Sequence, residues 1–253
     1  MSDLAWGLFV ILLAPAVGSF LGVLVDRLAV GKGVVLAPSS CAACGARLRW
    51  RDMVPVLSFV ALGGRCRDCG AAIPGHLMRI EIAALLAALL AVALIPEPLP
   101  MALGAVFLWL LTALFYSDLL HFRLPDPLTG ALLAAGLMLA ALDPARGVMH
   151  GCLSAAIAAG AFWGIRWAYR ALRHREGLGL GDVKLMAGIG AALGWQAVPY
   201  VALLAGVLAL LVAGLEAART RCAPNGTQKL PFGSYLSAAA AVIFLSGPLG
   251  LAL

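Results

Sequence analysis

The chain has 253 residues, of which 63% are hydrophobic and only 12% are charged. Soluble domains carry about 25% charged residues, and the mean hydropathy is +1.00, so a soluble globular protein is excluded. The apolar stretches are continuous rather than alternating, which favours membrane helices over a membrane β-barrel. The net charge of +6 is confined to the segments between these stretches. That pattern is typical of membrane topology, and we expect no nucleic-acid partner.

The apolar stretches predict an all-α polytopic integral membrane protein with about eight transmembrane helices. The first stretch lacks a basic leading segment and a small-residue cleavage site, so we expect it to be a retained helix. The sixth is short and rich in glycine. In chain order, the predicted spans are residues 4–25, 77–95, 101–117, 128–142, 148–169, 183–193, 198–215 and 235–253.

The basic residues predict the orientation of these spans. If the N-terminus lies outside, every one of the 18 Lys and Arg residues except Arg146 falls on the inner side. Such a bias marks the cytoplasmic face and supports an even number of spans. It also places the long loop 29–76, Asp118 and Asp182 together on that face.

The loop 29–76 contains two CxxC pairs, Cys41 with Cys44 and Cys66 with Cys69, each followed by glycine. Four thiolates in this pattern predict a closed tetrahedral zinc site, which has a structural rather than a catalytic role. Two disulfides are the alternative. They require an oxidising compartment, whereas the basic residues place the loop in the reducing cytoplasm.

Three other features of the sequence leave more than one interpretation. Residues 54–62 are apolar but too short to span, so they form either a helix lying on the membrane or a packed part of the zinc module. The basic residues around them favour anionic lipid head groups, although the positive-inside bias explains this charge equally well. Cys152 and Cys222 have no paired spacing, and Cys152 is expected to be a small core residue in a span.

Of the 12 acidic residues, Asp118, Asp126 and Asp182 have an unusual context. Asp118 ends the third span and Asp182 begins the sixth, both on the inner side, where an ionisable residue is a functional candidate. Two carboxylates brought together at a membrane surface are the catalytic groups of an aspartic protease. Asp126 lies between two prolines and is interpreted as a helix N-cap with Pro127 at the first helical position.

The segment around Asp182 adds further candidates. Gly179 and Gly181 leave the backbone bare, so that another chain, such as a peptide substrate, can approach it. A loop turn followed by a helix cap is the alternative. Lys184 either pairs with a nearby acid or marks the inner membrane boundary.

Taken together, these segments resemble the bacterial type IV prepilin peptidases, which are leader peptidase/N-methyltransferases of type IV pili and type II secretion. The resemblance covers nearly the whole chain. It departs at Gly22, where an asparagine is usual, and in the segment 76–81 before the second span. The matching segments are Gly18-Ser-Phe-Leu-Gly22 with Arg27, the two CxxC pairs with Pro55-Val-Leu-Ser58 and Gly64-Arg-Cys66, Asp118 with Pro125-Asp126, Gly179-Leu-Gly-Asp182-Val-Lys-Leu185, and Pro231-Phe-Gly233.

The resemblance implies that Asp118 and Asp182 are the catalytic pair of a GxGD-type aspartic protease. One carboxylate acts as the general base on a water molecule while the other holds the shared proton, and the sequence does not assign these roles. The implied substrates are prepilins or pseudopilins, cut after a glycine at the cytoplasmic membrane face. The new N-terminal residue is then methylated with S-adenosylmethionine, with Gly64 and Glu81 as candidate methyl-transfer residues.

The implied location is the bacterial inner membrane, with both termini periplasmic, the active site facing the cytoplasm and lipids as neighbours. The expected division is a first transmembrane helix (1–28), a zinc-binding loop (29–76) and a peptidase core (77–253). Three alternatives stay open: a peptidase without methyl transfer, an ion transporter and a non-enzymatic scaffold. A transporter requires acids inside several spans, and a scaffold leaves the glycines beside Asp182 without a use. The sequence carries no indication of oligomeric state.

Overall fold

A computed structural model describes residues 3–29, 31, 39–174, 177–220 and 230–247. Within the described residues every predicted span coincides with a helix, and the predicted all-α membrane fold is confirmed; the end of the last span, residues 248–253, lies outside the described residues. A short helix, α2, lies in the long loop between the membrane helices α1 and α3. Within the described residues the helices are α1 Asp3–Ala29, α2 Leu57–Ala61, α3 Gly75–Leu94, α4 Pro98–His121, α5 Asp126–Leu142, α6 Gly147–Arg173, α7 Leu180–Leu193, α8 Val198–Thr220 and α9 Phe232–Ser246.

The helices differ in length relative to a bilayer. Among the described residues, α1, α3, α4, α6 and α8 are long and apolar enough to cross a membrane, and α5 and α9 are shorter apolar helices. Helix α7 has 14 residues, which gives a length of about 21 Å against a hydrocarbon core of about 30 Å. The short helix α7 therefore needs neighbouring helices to cover its ends.

The chain divides into two compact units, Met1–Ala113 and Leu114–Leu253. In the first unit, α1 and α3 approach closely because Gly18 has no side chain. A β-carbon built on Gly18 would lie 2.6 Å from the Cα atom of Glu81. The indole N–H of Trp109 in α4 donates a hydrogen bond to the carbonyl of Ala84 in α3 at 2.9 Å. These contacts place the buried Glu81 at the start of the α1–α3 interface.

In the second unit, α7 lies between α5 and α6. Small residues allow this, as they commonly do between membrane helices. A β-carbon on Gly188 would lie 2.9 Å from the Leu132 side chain in α5, and one on Gly190 would lie 2.6 Å from Ala158 in α6. The side chains of Met186 and Ile189 are fully buried. Helix α7 is thus the packed centre of this unit, and Asp182 lies in its first turn.

Three local predictions are corrected or refined. Pro125, not Asp126, is the N-cap of α5. Asp126 is the first residue of the helix, and no side chain caps the helix N-terminus. The Asp126 carboxylate instead pairs with Lys184. Cys152 is exposed on α6 rather than buried in the core, and Cys222 lies outside the described residues. The apolar stretch 54–62 contains only the five-residue helix α2, and its Leu57 is exposed.

Candidate active site

Asp118 is a buried carboxylate near the end of α4, in the second unit. Its Oδ2 accepts a hydrogen bond from the backbone N–H of Ser234 at 2.8 Å and lies 3.3 Å from the Ser234 hydroxyl. The Gly233 N–H is also directed at this carboxylate. Both donors belong to the first turn of α9, where backbone N–H groups lack the usual helical acceptor four residues back; the Ser234 N–H also lies 3.2 Å from the carbonyl oxygen of the N-cap Pro231. The N-terminus of α9 therefore offsets part of the free-energy cost of burying an ionised Asp118.

Asp182 is buried in the first turn of α7, three residues after the N-cap Gly179. Its Oδ2 accepts a hydrogen bond from the Gly179 N–H at 3.0 Å. The guanidinium of Arg166 in α6 donates a hydrogen bond to the carbonyl of Leu178. This bond ties the glycine loop to α6, and the Arg166 charge lies close enough to act on Asp182. The loop and the helix start together fix the position of the Asp182 carboxylate.

Gly233 brings the two carboxylates together. A β-carbon built on Gly233 would lie 3.1 Å from Asp118 Oδ2 and 3.1 Å from Asp182 Oδ1. The two oxygens are therefore separated by no more than twice that distance. Two carboxylates this close repel each other when both are ionised, which favours a state with a single proton on the pair. The arrangement has the chemical groups that an aspartic protease uses.

Leu124, in the loop between α4 and α5, lies beside both glycine segments. A β-carbon on Gly181 would lie 2.9 Å from Leu124 Cβ, and one on Gly233 would lie 2.9 Å from Leu124 Cδ1. The space expected for an approaching substrate at Gly181 thus holds a side chain of the same chain. Nothing in the sequence patterns singled out Leu124.

Lys184 is paired with Asp126 at the start of α5. The distance from Lys184 Nζ to Asp126 Oδ1 is 2.6 Å, and both side chains are exposed. The prediction that Lys184 pairs with a nearby acid is confirmed. An exposed pair of this kind contributes about 0–1 kcal/mol to stability. The packing of α5 against α7 therefore depends mainly on their buried contacts and not on this pair.

The four loop cysteines form one cluster. Their Sγ atoms all lie within 4.8 Å of one another, and Cys41 Sγ is 3.9 Å from Cys69 Sγ. All four are free thiols in the structure. With Zn–S bonds of about 2.3 Å, the sulfur atoms of a tetrahedral zinc site lie about 3.8 Å apart. The residues therefore fit a zinc ion, and the separation of Cys41 Sγ and Cys69 Sγ is too long for a disulfide, whose S–S bond is about 2.05 Å.

The two CxxC turns have the same construction. Gly45 N–H donates to the carbonyl of Cys41, and Gly70 N–H donates to that of Cys66, both at 2.9 Å. The φ angles of Gly45 and Gly70 are +73° and +72°, a conformation that glycine adopts without strain. The glycine after each pair thus closes the turn that directs both thiols inward.

The thiols do not ionise alike. Backbone N–H groups of Cys44 and Ala43 lower the pKa of Cys41 to about 6. The N–H of Ala71 acts to lower the pKa of Cys69, but hydrogen bonds among the thiols and desolvation raise it to about 12. Metal binding requires thiolates, and of these two thiols Cys41 is the one closer to that form.

A salt bridge between Arg67 and Asp52 links two segments of the cysteine-containing loop. Arg67 Nη2 lies 2.7 Å from Asp52 Oδ1, and Arg67 Nε lies 3.0 Å from the same oxygen. The hydrogen bond from Arg67 lowers the pKa of the Asp52 carboxyl below its ordinary value. The pair joins the segment before α2 to the second CxxC turn.

Gly64 and Glu81 both hold the first unit's loop in place. Gly64 has a φ of +68°, and a β-carbon there would lie 3.0 Å from the ring of Phe59. Glu81 Oε2 accepts a hydrogen bond from the Val56 N–H at 2.6 Å. These contacts do not by themselves fit the adenosyl or amino-acid part of a methyl donor.

Two family models match the chain. The Bacterial Peptidase A24 N-terminal domain matches residues 12–95, and the Type IV leader peptidase family matches residues 105–214. No solved structure matches the chain.

Several relatives carry the name prepilin leader peptidase/N-methyltransferase. The relative from Klebsiella pneumoniae is 37% identical over 79% of this chain and 90% of its own length. The relative from Aeromonas hydrophila is 34% identical over 94% of this chain and 90% of its own length. The relative from Pseudomonas aeruginosa is 35% identical over 96% of this chain and 91% of its own length. This similarity spans both compact units and shows that the chain belongs to the type IV leader peptidase family.

Proposed function

We propose that this protein is a membrane-embedded aspartic endopeptidase that removes the short basic leader from prepilins or pseudopilins. The observation that carries this proposal is the placement of Asp118 Oδ2 and Asp182 Oδ1 within 3.1 Å of one point beside Gly233. Each carboxylate is held at the N-terminus of a different helix. The names of the relatives supply the substrate class.

The chemistry follows from the pair. The ionised carboxylate takes a proton from a water molecule, whose oxygen attacks the scissile carbonyl. The protonated carboxylate donates a hydrogen bond to the carbonyl oxygen, and a proton is returned to the departing amine when the C–N bond breaks. Fixed backbone donors on both carboxylates keep this geometry from one cycle to the next.

The leader is expected to reach the pair from the cytoplasmic side. Basic residues concentrate at that side, and both termini of the chain would be periplasmic in the inner membrane. Gly179 and Gly181 are the proposed approach loop, with Lys184 beside it. Because the Leu124 side chain lies against Gly181 and Gly233, a bound substrate would displace this side chain rather than enter an open groove.

We assign the cysteine cluster to a structural zinc ion held by Cys41, Cys44, Cys66 and Cys69. The ion would supply folding free energy to the loop 29–76. In this division, the loop is a metal-stabilised module beside the first helix (1–28), and the peptidase core occupies residues 77–253.

A second activity, N-methylation of the new N-terminal residue with S-adenosylmethionine, is favoured by the names of the relatives. Gly64 and Glu81 are the proposed residues. Their contacts with Phe59 and Val56 indicate that they act by shaping the loop, and we derive no step through the methyl donor.

The test is incubation of the detergent-purified protein with a prepilin, followed by mass measurement of the product. Wild type should yield a pilin shortened at the leader, while Asp118→Asn and Asp182→Asn should yield none, because an amide cannot act as a base or share the proton. Asp126→Asn is the matched control, since this aspartate is exposed and bonded to Lys184. Wild-type cleavage by either active-site variant would remove that residue from the mechanism.

A further inference from the structure

We propose that Ser234 is a positioning residue for the hydrolysis: it holds Asp118 as the ionised general base and leaves the shared proton on Asp182. This inference rests on the proposed function and assigns the two roles that the sequence leaves open. Ser234 lies in the first turn of α9 and is 1% exposed.

The contacts of Asp118 favour the ionised state. The N–H of Ser234 donates to Oδ2 at 2.8 Å, and the Gly233 N–H also acts on this carboxylate. An N–H group donates and never accepts, so these bonds stabilise a carboxylate more than a carboxylic acid. The start of α9 adds its dipole in the same direction.

The Ser234 hydroxyl can follow the charge on Asp118. Its Oγ lies 2.9 Å from the carbonyl oxygen of Phe115 and 3.3 Å from Asp118 Oδ2. A hydroxyl carries one proton, so at any moment it donates fully to only one of these acceptors. When Asp118 is ionised, the proton turns toward Oδ2. When Asp118 takes a proton from water, the hydroxyl turns back to the Phe115 carbonyl.

Asp182 has fewer donors of this kind. Its Oδ2 accepts the Gly179 N–H at 3.0 Å, while its Oδ1 faces the position shared with Asp118. A proton on Oδ1 therefore lies between the two carboxylates. Arg166 opposes this state through space, but one of its N–H groups is already directed at the Leu178 carbonyl. Asp118 has the larger set of N–H and O–H donors, which is why we place the shared proton on Asp182.

Other titratable groups in this unit lie on five helices. Arg166 in α6 acts on Asp182, while Tyr235 in α9 is influenced by Asp118 and by Glu216 in α8. Lys184 in α7 is paired with Asp126 of α5. The Ser234 variants leave these groups in place, so a change in pH dependence is attributable to the hydroxyl.

The experiment measures kcat, KM and the pH dependence of kcat for Ser234→Ala on a purified prepilin. Loss of the hydroxyl should lower kcat about tenfold with little change in KM, the size expected for one hydrogen bond to a charged group. The acidic limb of the profile should move to higher pH, because the ionised form of Asp118 loses a donor. Ser234→Cys keeps a weak donor of similar size and should be intermediate.

Ser237→Ala is the matched control. Ser237 lies one turn further along α9, is equally buried, and donates its hydroxyl to the Gly233 carbonyl at 2.8 Å instead of to Asp118. It should keep the wild-type pH profile. Wild-type kcat and pH profile in Ser234→Ala would overturn the inference. The inference would also be overturned if Ser234→Ala lost activity in proportion to a lower unfolding temperature while the pH dependence of kcat stayed unchanged.

Asp118→Asn and Asp182→Asn in the same assay separate this inference from the proposed function. If both are inactive while Ser234→Ala behaves like wild type, the inference fails and the peptidase assignment stands. If either still cleaves at the wild-type rate, the paired-carboxylate mechanism itself fails.

Discussion

Gly233→Ala should disable cleavage without unfolding the protein, because the added methyl group enters the space between the two carboxylates. Its β-carbon would lie 3.1 Å from an oxygen of each carboxylate and 2.9 Å from Leu124 Cδ1. The φ angle of Gly233 is not in the left-handed region, so the backbone accepts alanine and the effect is one of space alone.

The size of the effect follows from which neighbours can move. The Leu124 contact involves the end of a flexible side chain and is relieved cheaply. Asp118 and Asp182 are held by N–H donors from Ser234 and Gly179, so they move only by lengthening these bonds. Overpacking of this kind costs about 1–3 kcal/mol of stability. Misplacing catalytic groups by about 1 Å lowers kcat by about 100-fold, so the smaller shift required here should lower kcat by up to about that factor.

The assay is the initial rate of leader removal, measured by mass, together with the unfolding temperature of each purified variant. Gly130→Ala is the matched control, because a β-carbon there meets nothing within 4 Å. It should keep wild-type activity. A folded Gly233→Ala protein with wild-type kcat would refute the placement of both carboxylates around this glycine.

Three further predictions concern the first unit. Cys66→Ser should lower the zinc content below one ion per chain and destabilise the loop, as measured by metal analysis and alkylation of the remaining thiols; full zinc retention would contradict the four-thiolate site. Glu81→Ala removes the acceptor of the Val56 N–H and so disturbs the loop; it should preserve cleavage but yield pilin lighter by one CH₂, and proportional loss of both activities would point to a single site or a folding defect. The hydrogen bond from Arg67 lowers the pKa of the Asp52 carboxyl in the folded protein below its ordinary value of 3.8. The ionised carboxylate therefore stabilises the fold at pH values above 3.8, and this stabilisation is lost as the pH falls through the lower pKa of the folded state. The difference in denaturant midpoint between wild type and Asp52→Asn should therefore be present at pH 7 and should shrink on acidification, and a constant difference would show that charge is not the cause.

Much of the fold follows from local sequence. Long apolar runs require helices in a membrane, and each predicted span coincides with a helix over the part that the structure describes. The CxxC pairs likewise predicted the thiol cluster, because each turn is a local structure closed by its own glycine. The N-cap of α5 was displaced by one residue because Asp126 pairs with Lys184, which is distant in sequence, instead of bonding to its own backbone.

The details of the site depend on contacts that local patterns do not encode. The bond between Ser234 and Asp118 joins residues 116 positions apart, and Leu124 meets Gly181 and Gly233 only after α7 and α9 have packed. The segment Pro231-Phe-Gly233 at the start of a helix was the available signal, since a helix N-terminus offers free N–H groups to an anion. Its target could be identified only from the packed structure.

The central claim is that Asp118 and Asp182 act as one unit, and the double variant tests it most directly. Residues that act together show non-additive losses, because removing the first already disables the second. The measurement is the residual cleavage rate of Asp118→Asn, of Asp182→Asn and of the double variant on the same prepilin. The paired mechanism predicts that the double variant is no slower than either single variant. Partial activity in both single variants, with losses that multiply in the double variant, would contradict it.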